Sequence, residues 1–366
     1  MSLKIDIVIG ANFGDEGKGK TVNYLATKDS LVILSNGGAQ RGHTVIQDTT
    51  KHIFHHFGSG TLKGAFSYAS KYFILNPLQF RKEYEELKEK GINPKLYADP
   101  RCRVSTPFDM LANILRSEKA GEYNSTGFGI WETVLRYQDR NFLSYDFLTL
   151  SLLSHADLNE HLERIKKYYS ESAIVQESNS NTKKLITESN LIINNFIDDL
   201  KFMFDNVEIK SFEDIYKDYN HIIFEQGQGL GLDKDYDIDF GTPSYTGSTI
   251  PSYILKNSNI DLENYDITKY YITRSYLSRH GAGELIGEDS SLKFLDETNK
   301  FNDFQGNIRF ALFSDLTIQD MLNRIEKDKN IITGSNILVI TQEEKAKIKS
   351  LNILSKEFNS IIHLWL

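Results

Sequence analysis

A single cysteine, Cys102, stands among 366 residues. That excludes an internal disulfide framework, suits a reducing compartment, and leaves the thiol to be read as a small buried hydrophobe. Long apolar runs are missing as well. None approaches the ~18 residues that a membrane-spanning helix needs, and the N-terminus lacks the charged-then-apolar build of a secretory signal. The expected location is the cytoplasm, with no membrane partner. Positive charge is scarce: Lys and Arg number 42 against 50 Asp and Glu, a net charge of -8. This gives no support to a basic surface for nucleic acid. No internal repeat or low-complexity tract interrupts the chain, and 179–182 is only a short polar loop. What is present is an ordinary globular mixture, 40% hydrophobic and 25% charged. It suits one large α/β domain over 1–366, or a main domain with a smaller excursion.

Short continuous apolar runs at 5–9, 31–34, 73–75, 222–225 and 337–340 read as strands. The first two are expected to be parallel, around a helix at about 18–28. A charged amphipathic helix is expected at 79–90, after Pro77. Another begins at 109–116, with Ser105 or Thr106 as cap and Pro107 in its first turn. Residues 140–205 carry apolar side chains at helical spacing, first Leu158, Leu162, Ile165 and Tyr169, then Leu191, Ile192, Phe196 and Ile197. They predict a helical subdomain inserted in the main domain. The fold class is therefore α/β, with a mostly parallel central sheet. Ligands of such sheets gather where the strands end.

The first strand runs into Gly14-Asp15-Glu16-Gly17-Lys18-Gly19-Lys20-Thr21, which satisfies the phosphate-loop pattern G-x-x-x-x-G-K-[ST] in its proper strand-loop-helix setting. Glycines let successive amides turn toward an anion, and the helix start adds its positive end. Asp15 can take a proton from a heterocyclic N–H or bind magnesium; alternatively, Asp15 or Glu16 only caps the helix. Lys18 and Lys20 offer two cations, of which a conventional loop uses Lys20. A second glycine-rich turn, Ser35-Asn36-Gly37-Gly38-Ala39-Gln40-Arg41-Gly42-His43-Thr44, follows the second strand and places His43 where a general acid can act. Asn124-Ser125-Thr126-Gly127-Phe128-Gly129-Ile130 and Phe224-Glu225-Gln226-Gly227-Gln228-Gly229 can hold a phosphate or a purine edge. A last cluster joins Arg274, Arg279, His280, Gly281 and Gly283 to Gln305-Gly306-Asn307-Ile308-Arg309, where arginine forks suit carboxylate or phosphate. Together they describe a protein that holds at least two anionic ligands.

These segments resemble the adenylosuccinate synthetase family. Its "GDEGKGK" stands at Gly14-Asp15-Glu16-Gly17-Lys18-Gly19-Lys20, its "GHT" at Gly42-His43-Thr44, and its "TTGRGIG" looks like Ser125-Thr126-Gly127-Phe128-Gly129-Ile130. Its "FEGAQG" looks like Phe224-Glu225-Gln226-Gly227-Gln228-Gly229. Its "KAYxTRVGxGP" resembles the run Arg274-Ser275-Tyr276-Leu277-Ser278-Arg279-His280-Gly281-Ala282-Gly283.

The resemblance implies a ligase working in two steps: a γ-phosphoryl group passes to O6 of IMP, and L-aspartate then displaces it. It makes Asp15 the base at N1, His43 the acid at O6 and Lys18 the phosphoryl-neutralising cation, with Mg²⁺ held by Asp15 and the carbonyl of Gly42. The implied nucleotide set is Gly14, Glu16, Gly17, Gly19, Lys20, Asn36, Gln40, Ser125, Thr126, Arg140, Gln228, Thr242 and Glu344. Arg309 and Asn307 would bind aspartate. Arg140 has the spacing of the arginine that enters a neighbouring subunit's site, which implies a homodimer with shared sites.

Departures qualify the substrates. The family's aspartate loop reads TTTGR before its arginine, whereas this chain has the compact Phe304-Gln305-Gly306-Asn307-Ile308-Arg309. The guanine-reading "TKLD" is at best Thr341-Gln342-Glu343-Glu344, and no segment corresponding to the one that completes the GTP site is found before Leu366. GTP is the expected co-substrate, with ATP or dATP accepted. The short forms of the family include archaeal enzymes and a phage branch that joins aspartate to dGMP. Asp15 favours IMP, since that branch replaces the loop aspartate, while Gln40 in place of the common asparagine leaves (d)GMP open. A purine nucleotide-binding protein without ligase activity is the further alternative.

Overall fold

Apolar runs covered on both sides build the centre of the molecule. The computed structural model describes residues 3–120, 126–188, 190–232, 247–262, 265–294, 306–343, 345–348 and 354–364. Its main sheet has nine strands: β1 (Lys4–Gly10), β2 (Ser30–Leu34), β3 (Phe66–Ala69), β4 (Leu96–Ala98), β5 (Glu208–Ile209), β6 (His221–Gly229), β7 (Asp266–Arg274), β8 (Ser335–Thr341) and β9 (Ser360–Leu364). The spatial order is β5-β4-β3-β2-β6-β1-β7-β8-β9, and every pairing is parallel. The α/β class with a mostly parallel sheet is therefore the observed one.

Alternation divides the strand side chains between two cores. Ile5, Ile7, Ile9, Leu31, Ile33, Ile222, Phe224 and Tyr271 pack on one face with Ile250, Ile254, Ile318 and Met321 of the helices Thr249–Asn257 and Asp315–Lys329. Val8, Val32, Ile223, Ile272 and Val339 pack on the other face with Val22 of α1 (Lys18–Leu25). Each such side chain contributes roughly 1.5–3 kcal/mol by leaving water. A third core joins the helices Phe147–Leu152, His155–Ser170, Ala173–Gln176, Asn181–Glu188 and Leu191–Asn206 to the helices Pro77–Glu89 and Pro107–Ala120 and to β4.

Several boundaries differ from the sequence reading. Helix α1 ends at Leu25, not near 28, because Thr27 and Ser30 close a turn: Thr27 N–H donates to Ser30 Oγ (3.0 Å) and Ser30 N–H to the Thr27 carbonyl (3.1 Å). Phe73–Leu75 is a strand outside the main sheet, paired with Gly37–Gly38 and Arg103–Val104. The place beside β2 belongs to β3, whose Phe-Ser-Tyr-Ala has no continuous apolar run to announce it. Leu191 begins its helix and is 68% exposed, and the buried face is Ile193, Phe196, Ile197, Leu200 and Met203. Thr106, not Ser105, makes the reciprocal cap: its N–H donates to Asp109 Oδ2 (2.7 Å), and Asp109 N–H returns to its hydroxyl (3.3 Å).

The chain steps from β1 over α1 to β2, then returns later to lay β6 between them. The C-terminal ends of β1, β2, β6, β7 and β8 consequently share one edge, the position at which open α/β sheets bind ligands.

Candidate active site

One pocket on this edge is lined by Asp15, Glu16, Gly17, Lys18, Gly19, Lys20, Gly42, His43, Thr44, Arg274, Thr341 and Gln342. Its floor is the start of α1. No side chain caps that helix, so neither Asp15 nor Glu16 acts as a cap, and the first amides face the pocket. The turn requires glycine at Gly17, which has φ 101° and would place a Cβ 3.0 Å from Thr341 Cγ2. Glu16 turns away from the helix and accepts from Asn12 N–H (2.7 Å), its other oxygen buried without a partner. Burial pushes its carboxyl up to about 7, although Lys18 and the Asn12 amide favour the charged form. Burial likewise lowers Lys18, while Glu16, Asp15 and Glu225 hold its charge.

His43 opens a two-stranded hairpin, His43–Gln47 with Thr50–Phe54, that crosses above α1. Its Nδ1 lies 2.5 Å from Glu225 Oε1, and its Nε2 is buried without a partner. Glu225, fully buried midway along β6, also takes Arg41 Nη2 at 2.9 Å, Ser59 N–H at 3.0 Å and the Ser59 hydroxyl. Burial alone would raise Glu225, but Arg41, His43 and Ser59 hold it well below the usual carboxylate range. His43 is lowered to about 4, by burial first and then by Arg41, against the pull of Glu225. The arrangement is a neutral imidazole with Nδ1–H on a carboxylate and Nε2 left as a buried nitrogen without a partner.

Asp15 sits at φ 55°, 36% of its side chain exposed, and its backbone carbonyl accepts from Arg274 Nε at 2.6 Å. His280 Nε2 is 3.7 Å from its Oδ2. The sequence-predicted residues Asp15, Glu16, Gly17, Lys18, Gly19, Lys20, Gly42 and His43 are thus brought together, and Gly14, with φ 95°, belongs to the same loop.

Other predicted residues lie beyond the lining of this pocket. Asn36 Oδ1 accepts from Gly227 N–H (3.1 Å), tying the ends of β2 and β6. Gln40 leaves its Oε1 buried without a partner, and Gln228 is partly buried at the end of β6. Thr126 is partly buried before the helix Ile130–Gln138, and Arg140 is exposed just past it. Asn307 is exposed. Arg309 pairs with Arg279 in a second small sheet and donates to Glu288 (2.7 Å) and to the carbonyls of Gly281 (2.7 Å) and Gly283 (2.8 Å). Ser125, Thr242 and Glu344 lie outside the described residues.

Sequence reasoning missed the roles of Arg41 and Ser59, which carry no local signal, and of Glu225, visible only as part of its turn. It also missed Gln226. This side chain is fully buried, and both atoms of its amide lack a hydrogen-bond partner.

The chain matches the model of the adenylosuccinate synthetase family over residues 7–330. It is 27% identical over 253 residues to the adenylosuccinate synthetase of Borrelia duttonii, covering 68% of this chain and 56% of that protein. The corresponding values for Buchnera aphidicola are 29% over 279 residues, 72% and 60%. The chain therefore spans somewhat over half the length of these curated relatives. Among solved structures, the fully ligated adenylosuccinate synthetase of Plasmodium falciparum aligns with a TM-score of 0.64 at 17% identity, over 93% of this chain and 77% of that one. The cyanophage S-2L succinoaminodeoxyadenylate synthetase, bound to dGMP and dATP as an energy donor, aligns with 0.57 at 11%, over 99% and 92%. At these identities the two structures establish likeness of fold. The match across most of the sequence establishes more: this chain belongs to the adenylosuccinate synthetase family.

Proposed function

We propose that this chain is a ligase that joins L-aspartate to C6 of IMP, with hydrolysis of a nucleoside triphosphate through a 6-phosphoryl intermediate, giving adenylosuccinate. The observation that carries the reading is the convergence of Asp15, Lys18 and His43 on one pocket above the uncapped start of α1. Asp15 takes the proton from purine N1 and makes O6 a nucleophile. The O6–P bond forms as the bond from γ-phosphorus to the bridging oxygen breaks. Lys18 and the helix amides neutralise the phosphoryl oxygens, in keeping with a reaction that needs chiefly positioning and charge stabilisation. His43 has Nδ1–H committed to Glu225, so it acts as an acid by carrying a proton on Nε2, which the phosphate charge favours. The aspartate amine then attacks C6, losing a proton, and phosphate leaves with O6. Arg309 and Asn307 hold the aspartate carboxylates, Arg309 exchanging Glu288 for substrate.

The Asp15 carboxylate and the exposed Gly42 are hard oxygen donors on the pocket wall and fit Mg²⁺. Among the described residues, no cluster of three or more His, Cys, Asp or Glu could hold a metal. A cation with few protein ligands and several phosphate and water oxygens suits that donor set. When bound, Mg²⁺ supplies further neutralisation of the triphosphate. Thr341 and Gln342 wall the same pocket; GTP is the proposed co-substrate, with ATP or dATP also accepted. Gln40, Asn36, Thr126 and Gln228 take the monophosphate, and Arg140 completes the site of a second subunit in a homodimer.

The same chemistry on (d)GMP is the second reading, favoured by Gln40, which stands where the family commonly has asparagine and whose unpartnered Oε1 can accept from an exocyclic amine. Replacing Asp15 by Asn tests the ligase reading. Turnover should fall on the order of 10²-fold or more with the fold intact, and near-normal turnover would place the base elsewhere. Comparison of IMP, GMP and dGMP, each with aspartate, decides the acceptor: a dGMP rate about tenfold above IMP, a difference of about 1.4 kcal/mol, would move the assignment to (d)GMP.

A further inference from the structure

We propose that His280 is a positioning residue for Asp15, its imidazole Nε2–H holding the carboxylate in the orientation that removes the purine proton. The proposal rests on the reading of Asp15 as the base. Asp15 has φ 55°, a backbone conformation that persists where its surroundings hold it, but that hold does not orient its side chain. No side chain among the described residues hydrogen-bonds the Asp15 carboxylate. His280 is its ion-pair partner, with Nε2 at 3.7 Å from Oδ2.

The imidazole is largely buried beside the carboxylate. It is 12% exposed, and its Nδ1 is buried without a hydrogen-bond partner. Placing the ring proton on Nε2 directs it at the carboxylate and leaves Nδ1 as a bare acceptor. Placing it on Nδ1 would leave a buried donor unmet, the costlier choice. The segment that carries His280 grips the phosphate loop at two further points. Arg274 Nε donates to the Asp15 carbonyl at 2.6 Å, and the Arg279 guanidinium lies 4.7 Å from the Phe13 ring. Backbone, neighbouring ring and carboxylate are thus held by residues 274–280. At 3.7 Å the last contact lies just beyond hydrogen-bond length, the looseness common at reactive groups before a substrate fills the site. The motif "KAYxTRVGxGP" has valine where this chain has His280, so the contact belongs to this chain and not to the shared pattern.

The test uses the full chain and four variants: His280→Val, His280→Gln, Asp15→Asn and Asp15→Asn/His280→Val. His280→Val should lower kcat about tenfold, the scale of a lost orientation. Its KM for monophosphate and triphosphate should stay within about twofold and its Tm should be unchanged. His280→Gln, which keeps an N–H donor, should recover most of the rate. In the Asp15→Asn background the valine should cost nothing more, because residues acting through one another are not additive. Unchanged kcat in His280→Val, failure of the glutamine to rescue, or a full additive loss in the double variant would overturn the proposal. Near-normal turnover of Asp15→Asn alone would instead overturn the base reading on which it rests.

Discussion

Glu225 shows how much of the site depends on a residue outside the pocket lining. Its carboxylate is surrounded by Arg41, His43 and Ser59 in a fully buried setting. Replacing it by Gln leaves the Arg41 charge without its counterion, with Nε and Nη1 already lacking partners. Breaking such a pair should cost about 3–5 kcal/mol, read by denaturant unfolding, and turnover should fall with it as Nδ1 of His43 is released. Glu16 gives a pH signature of opposite origin. Its pKa is raised by burial from 4.5 to about 7, so its contribution to stability is full below the unfolded value and is lost as pH rises through about 7. Glu16→Gln can keep the acceptor for Asn12 and has no proton to lose. It should therefore gain on wild type by roughly 3 kcal/mol between pH 4 and pH 8, measured as the difference in unfolding free energy. A constant difference across that range would contradict the assignment. His43 is lowered and destabilises in the acid direction, but it is common to both proteins and cancels in the comparison.

At the scale of elements, α1 and the hairpin that carries His43 meet at Gly19. A Cβ there would lie 2.9 Å from His43 Cβ and 2.9 Å from Ser59 Oγ. Glu83 fixes the chain just past Phe54, the strand partner of His43, by accepting from the amides of His55 (3.0 Å) and His56 (2.6 Å), so the strand cannot simply retreat. Gly19→Ala should then destabilise by about 1–3 kcal/mol, as overpacking does, and lower kcat more than it raises the KM for triphosphate. Unaltered stability and kcat would mean the hairpin yields freely. The elements were legible where both faces are buried: 5–9, 31–34, 222–225 and 337–340 all became strands of the main sheet. The three-residue run 73–75 looked the same and went elsewhere, because a continuous apolar run records burial and not the identity of its neighbour. The phosphate loop was legible because its glycines serve backbone geometry. Arg41 and Ser59 were not, because their role arises only when β2 and β6 are neighbours, and 191 positions separate Ser30 from His221, which begins the pairing.

Across the whole molecule, the late return of β6 between β2 and β1 converts separate loops into one site. The described lining contains the phosphate-loop residues and His43, while Arg140 stands exposed away from it. A symmetric dimer would supply each site with the partner's arginine. Mixing an Arg140→Ala variant with a Lys18→Ala variant, each inactive alone, should restore activity at one hybrid site per heterodimer, and no recovery despite confirmed subunit exchange would refute shared sites. The central claim is the 6-phosphoryl intermediate, and it can be read directly in the product. IMP carrying a heavy oxygen isotope at O6 is turned over with aspartate, Mg²⁺ and unlabelled triphosphate, and the released phosphate is analysed by mass. Transfer of the label to phosphate, one atom for each adenylosuccinate formed, is the predicted result. Adenylosuccinate formed with unlabelled phosphate would contradict the account.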